Sequence, residues 1–205
     1  MSDNKLNITE SASCEIVKGN KKMKNDQLNL MGKFTVEHWR SGKLLETFEV
    51  PNLITNEAKN HILDTQFNSG TVIADAKWYI GLIDLTGYSA LAATDTYALI
   101  NTTNGWDEFT DYTDPANADS AVTRPVWLSD AAASQSITNS TVQSFDITAS
   151  GTVKGMFLCG GPTTALTKDD ATASGNILWN AALFTGGDRT VANTDTLKVT
   201  YTISA

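Results

Sequence analysis

Cysteine is almost missing from this chain, and the two that occur, Cys14 and Cys159, stand far apart. No Cys-x-x-Cys and no Cys/His ligand spacing exists, so the sequence gives no basis for a zinc site. Two lone cysteines are expected as free thiols rather than as a disulfide. Histidine is just as scarce, with only His38 and His61, and both are expected in structural roles. No apolar run reaches the length of a membrane-spanning helix. The opening Met1-Ser2-Asp3-Asn4-Lys5 leads into no apolar stretch, so no signal peptide is expected and the protein is made in a cytoplasm. Neither a Gly-x-Ser-x-Gly elbow nor a Gly-x-x-x-x-Gly-Lys-Ser/Thr phosphate loop is present. The catalytic constellations that can be read from spacing are therefore absent, and the chain is expected not to be an enzyme.

Charge of either sign is sparse, at 19% of residues, and unevenly spread. Residues 1–31 carry five lysines against four acids, a net of +1, which leaves −9 of the total −8 on the remainder. An acidic body repels a phosphate backbone, so nucleic acid is not the expected partner. Hydrophobic residues at 41% are ample for a core. Residues 1–31 are polar and weakly patterned, and read as a flexible tail or as an extended N-terminal arm that orders only against a partner, preceding a domain over 32–205. Within the arm Lys18, Lys21, Lys22 and Lys24 form a basic cluster able to touch an acidic partner surface.

From residue 32 onward the signals are those of strands. Leu197, Val199, Tyr201 and Ile203 alternate with Thr196, Lys198, Thr200 and Thr202, the period of two that a half-buried strand imposes. Phe34, Val36 and His38 alternate likewise, and Arg40-Ser41-Gly42-Lys43 turns the chain into Leu45, Phe48 and Val50, which predicts a hairpin. Pro51 is expected to end the second strand or to place it at an edge. One helix is expected, over 56–67. Thr55 or Asn56 caps it, Glu57 lies in its first turn, Ala58, Ile62, Leu63 and Phe67 form its apolar stripe, and Asn68-Ser69-Gly70 stops it. Trp78, Ile80 and Leu82 face one side of a core strand, with Tyr79, Gly81 and Ile83 on the other. Further strands are expected at 97–100, 124–128, 142–148, 153–159 and 176–184. Eight or nine strands and one short helix predict an all-β fold, an antiparallel β-sandwich of jelly-roll type.

Two sets of residues carry a resemblance. One is Pro51-Asn-Leu-Ile-Thr-Asn-Glu-Ala-Lys-Asn-His-Ile-Leu63 followed by Trp78-Tyr-Ile-Gly-Leu82. The other is Val153-Lys-Gly-Met-Phe-Leu158, then Gly175-Asn-Ile-Leu-Trp-Asn-Ala-Ala-Leu-Phe184, then Asp195-Thr-Leu-Lys-Val-Thr-Tyr-Thr-Ile203. In this order they resemble small structural proteins of tailed-bacteriophage virions, over roughly residues 32–205. Ala58 stands where that pattern often has Gly. The resemblance implies a virion structural protein without catalytic residues, of the capsid decoration or cement type. It would be a homotrimer held to the major capsid protein by protein–protein contacts, with no nucleic-acid or membrane partner. Related domains occur in tail and fibre proteins, which leaves recognition of a host surface glycan as the alternative.

The longest irregular stretch, 101–121, holds the candidate site residues. Trp106, Phe109 and Tyr112 recur every third residue, amid Asp107, Glu108, Asp111 and Asp114. Loops this long in compact domains are usually functional or disordered, and three aromatics argue against plain disorder. The aromatics are read three ways: as a partner-binding surface, as a platform for sugar rings, or as a plug folded into the end of the sandwich. The carboxylates are read as a calcium site or as a solvated acidic loop, without the spacing of an EF-hand. No cofactor is expected.

Overall fold

A computed structural model describes residues 29–84, 91–102, 105–162, 165–170 and 175–205. The basic cluster Lys18, Lys21, Lys22 and Lys24, the rest of the arm up to residue 28, and Cys14 lie outside the described residues. The apolar alternation resolves into strands β1 (Met31–Arg40), β2 (Lys43–Ile54), β3 (Trp78–Ile83), β4 (Glu108–Phe109), β5 (Tyr112–Thr113), β6 (Ser136–Thr138), β7 (Gln143–Ile147), β8 (Gly151–Val153), β9 (Gly155–Gly160), β10 (Ile177–Leu183), β11 (Arg189–Val191) and β12 (Thr196–Ser204). One α-helix, α1 (Asn56–Phe67), follows β2. Every ladder between these strands is antiparallel. The fold is all-β, as expected. Several strands are only two or three residues long, too short for alternation to mark them in the sequence.

The two layers are one sheet folded over. Its strands run in the order β4-β3-β9-β10-β2-β1-β12-β7-β5, with β6 also on β12 and a small separate pair β11-β8. β2 belongs to both layers. Residues 43–52 pair with β1, while Leu53 and Ile54 pair with β10. Pro51 therefore does not end the strand. It lies opposite Lys33, just before β2 changes partner, where the lack of an N–H is tolerated. The β1–β2 turn has positive φ at both Ser41 and Gly42, 50° and 73°, the handedness that matches strand twist. The outermost strands, β4 and β5, are separated in sequence only by Thr110 and Asp111, so the sheet nearly closes on itself.

Inside lie Phe34, Val36, Val50, Ile80, Leu82, Phe145, Met156, Leu158, Leu197, Val199 and Tyr201. A second core lies on the outer face of β3, β9 and β10, where Tyr79, Ile83, Phe157, Cys159 and Leu178 are covered by Tyr97, Ile100, Trp106 and Ala165. β9 is consequently buried at all of its residues. The stretch 97–100, expected as a strand, is instead a 3₁₀ turn, Tyr97–Leu99, that lays Tyr97 and Ile100 onto this second core. The expected strand at 124–128 is extended but forms only a single bridge, Tyr79 to Val126, backed by Ile80 N donating to Pro125 O and Trp127 N to Trp78 O.

α1 is capped by Thr55, whose hydroxyl accepts from Ala58 N and donates to Leu178 O. Asn68 N and Gly70 N both close on Asp64 O at its end. The expected apolar stripe is rotated. Ala58 is buried and His61, Ile62 and Thr65 are half-buried, whereas Leu63 is 55% and Phe67 84% exposed. The reason is that the N-terminus is pinned before side-chain packing decides the rotation. Thr55 N donates to Trp179 O, Asn56 N to Ala93 O, and the Glu57 carboxylate accepts from both Tyr97 N and Leu178 N. No described helix is long and apolar enough to cross a membrane.

Gly81 illustrates why the Trp-Tyr-Ile-Gly strand needs its glycine. A Cβ there would lie 2.1 Å from the Phe157 ring, which rests directly on the backbone of β3. Gly81→Ala must displace a fully buried phenyl ring and is expected to destabilise the fold by about 2 kcal/mol. Urea unfolding at neutral pH measures this; an unchanged midpoint would show that the ring can move freely.

Candidate functional site

The acidic, aromatic stretch is where the sheet closes, and the structure folds it inward. Trp106 and Tyr112 are fully buried and Phe109 nearly so. Trp106 packs edge-on against Phe157 at 5.1 Å in the second core, and Tyr112 against Phe145 at 4.9 Å in the first. Phe109 joins the first core and pairs with Leu82 through β4. Of the three readings of these rings, the plug into the sandwich is the one the burial matches. As a partner or sugar surface they present no open face, because the two-residue strands β4 and β5 are too short to hold the seam without apolar side chains buried beneath them.

The carboxylates separate rather than cluster. Glu108 is buried and holds Arg124, itself fully buried, through two parallel bonds: Nε donates to Oε1 at 2.9 Å and Nη2 to Oε2 at 2.7 Å. Glu108 also accepts from Asp169 N. The remaining Arg124 nitrogen, Nη1, donates to Tyr97 Oη at 3.0 Å and to Ala165 O at 2.7 Å. Burial is the largest single influence and works against the guanidinium charge, but the Glu108 carboxylate, with the other groups around it, holds Arg124 well above the ordinary arginine range. Asp114 turns back on its own backbone, accepting from Ala116 N, and burial raises its pKa. Asp107 and Asp111 remain nearer the surface.

A cation does sit at this loop, and it is Lys168. Its ammonium donates to Thr110 O at 2.7 Å and Tyr112 O at 2.6 Å and lies 4.0 Å from the centre of the Tyr112 ring. Burial lowers its pKa, while the nearby Glu108 and Asp111 charges work the other way. Carbonyl oxygens of the kind a calcium ion would take are thus already committed to an ammonium group. No grouping of three or more metal-ligating side chains occurs among the described residues. Asp170, the other acid of the pair 169–170, accepts from Tyr97 Oη.

Cys159 lies 3.8 Å from Arg124 Nη1, yet it is fully buried, and burial pushes its thiol up to about 12 despite that cation. It is a free thiol without nucleophilic character at neutral pH. One strand from the seam, where Ile147 of β7 pairs with Tyr112 and donates its N–H to Asp195 O, His38 is buried with its Nε2 2.7 Å from Asp195 Oδ2 and its Nδ1 3.8 Å from Glu46 Oε1. Asp195 accepts two further bonds from Arg40 at 2.7 Å and one from Ala192 N. The Arg40 bonds hold its carboxyl well below the usual range. This cluster binds β1 to the turn before β12. His61 stands edge-on to Trp78 at 6.3 Å under α1. His38 is thus held in the Asp195 network and His61 by its ring contact with Trp78.

Arg124, Lys168 and Asp195 organise these networks, and none was singled out from the sequence. Arg124 left a signal there as the lone cation opening the apolar string Arg-Pro-Val-Trp-Leu, and Asp195 as the acid that opens the last alternating motif.

Glu108→Gln leaves Arg124 buried without the carboxylate that balances its charge and is expected to cost about 3–5 kcal/mol. Replacing both residues by apolar ones, Glu108→Leu with Arg124→Met, is expected to cost less than the two single changes added. Denaturant titration of the four proteins checks this, and strict additivity would deny the coupling. The Asp195 pKa is depressed, so its contribution is present above the unfolded-state carboxylate pKa, roughly 3.9, and is lost as pH falls through the lower folded value. Asp195→Asn should therefore be less stable than the parent at pH 7, with the gap narrowing below about pH 4. Unfolding midpoints at pH 7, 4 and 2.5 test it; a gap that stays constant would mean the ionised carboxyl is not the source.

No protein-family model matches this chain and no curated protein is significantly similar to it, so the chemistry of these networks rests on their own geometry.

Proposed function

We propose that the protein is a non-enzymatic structural component of a tailed-bacteriophage particle, of the capsid decoration or cement type, acting through protein–protein contacts with the major capsid protein. The observation that carries this reading is where the polar and apolar groups stand. The ionic chemistry is turned inward, into networks that lock the seams. Large apolar side chains are turned outward along one stretch: Leu53, Leu63, Phe67 and Val72 are all more than half exposed. A rigid body with apolar groups facing out is suited to contact rather than turnover. The ordered motifs of the virion resemblance support the same reading, since their residues are the ones that build the frame. Thr55 caps α1, Gly81 admits Phe157, and Asp195 ties β12 to β1. The homotrimer belongs to the resemblance alone. The glycan alternative rested on the rings of Trp106, Phe109 and Tyr112, and their burial removes the faces a sugar would stack on.

Purified protein added to particles that lack it should bind saturably and raise the temperature at which the particles release DNA. Leu63→Ser with Phe67→Ser, at exposed positions, should leave the protein's own unfolding midpoint within about 0.5 kcal/mol and weaken that binding at least tenfold. Absence of binding by the parent protein would sink the proposal. Equal binding by the double variant would remove α1 from the contact.

A further inference from the structure

An apolar pocket of about 480 Å³ opens at the end of the sandwich beneath α1, walled by Trp78, Trp127, Trp179, Ile62, Ile137 and Ile203. Leu30 lines it as well and packs on the main core. Leu30 belongs to a series. Val36, Phe34, Gly32 and Leu30 are the inward positions of β1 and its approach, while Met31 on the opposite face is exposed. β1 enters the ladder at Met31, opposite Ser204, the last residue of β12. The inward face of the chain thus arrives at the open end of the sandwich just where its neighbour strand stops. In the sequence the next residue of the same parity upstream is Leu28.

We propose that this pocket is the seat of the chain's own segment immediately preceding Leu30, with Leu28 as the apolar anchor. Two further observations favour this occupant. The first is reach: Leu28 is one strand period from a residue that already lines the pocket, so no linker has to be spanned. The second is charge. Asp75 lines the pocket, held by Ser129, whose N–H and hydroxyl both donate to its Oδ1, and the next residue, Asp130, is an exposed acid. The incoming segment, 18–28, carries four lysines and one aspartate. An apolar seat with an acidic rim matches a basic segment ending in leucine. The inference does not depend on the virion reading, and it is tested on the free protein, so the two fail separately.

The test uses the full chain. Three of the five tryptophans line the pocket, so intrinsic emission reports on it directly, and an apolar dye such as ANS reports on its vacancy. Leu28→Asp should shift the emission to longer wavelength and raise dye binding severalfold. Gln27→Asp, with the same added charge at a position of opposite parity, should match the parent, as should Leu28→Met. Far-UV circular dichroism should be alike for all four, because the barrel itself is untouched. The proposal is overturned if Leu28→Asp behaves as the parent, or if Gln27→Asp produces the same change. Sedimentation velocity separates the remaining case. If the parent is an oligomer that Leu28→Asp converts to monomers, the segment comes from a neighbouring copy, and the intrachain seat is wrong.

Discussion

The buried pair of Arg124 and Glu108 is the interaction on which the closed form of this sheet depends. Glu108 lies in β4, a two-residue strand whose ladder to β3 is too short to be held by backbone bonds alone. Arg124 begins the stretch that runs beside the same edge of β3 further along, through the contacts of Pro125, Val126 and Trp127. The fork between them therefore joins the two segments that cover one edge. Its outer donors and acceptors draw in Tyr97, Ala165 and Asp169 from two other loops. Removing two charges from water costs several kcal/mol each, and attraction between them offsets that only when the remaining polar atoms are also satisfied. Here each Arg124 nitrogen and both Glu108 oxygens have partners, which is the condition for a buried pair to be tolerable at all.

Closure in this manner has a consequence for the strands inside. With loops packed over the outer face of β3, β9 and β10, those strands have apolar neighbours on both sides. β9 accordingly reads Gly-Met-Phe-Leu-Cys-Gly, without polar alternation, whereas β12, with one face half-exposed, alternates strictly. The glycines in this region answer the same crowding. Phe157 lies against Gly81, and Trp78 lies against Gly160, where an added Cβ would come within 2.5 Å of its ring. Phe157 on Gly81 lies in the second core and Trp78 on Gly160 against the first, so flat rings laid onto bare backbone occur on both faces of this part of the sheet.

What was legible in the sequence follows from the range over which each signal acts. The β1–β2 hairpin and β12 could be read because alternation and a Ser-Gly turn are local. The cap at Thr55 was one of two local candidates for the same reason. The rotation of α1 was not legible: apolar spacing pointed to Leu63 and Phe67, but backbone and carboxylate bonds to Trp179, Ala93, Tyr97 and Leu178 set the orientation. The same holds for 101–121. Its acids and rings are conspicuous in sequence, and a surface site is the natural reading of conspicuous polar groups. The partners that reverse that reading, Arg124 and Lys168, lie 16 residues or more downstream, at separations where sequence carries no pairing information.

Lys168 shows how far such a partner can change the chemistry of a loop. Backbone carbonyls of Thr110 and Tyr112 converge on its ammonium group, with the Asp111 and Glu108 charges nearby and the Glu108 oxygens themselves held by Arg124. With an ammonium group tethered there, the site needs no free ion and cannot be emptied by dilution or chelation. Tethering also joins the loop to residues 165–170, so the same contact that neutralises the acids fastens β5 to the cover of the second core. Divalent metals would reach comparable oxygens only by displacing a covalently attached competitor whose effective concentration is far above any free ion's. The seam is therefore a structural joint whose polar atoms are taken up within the fold.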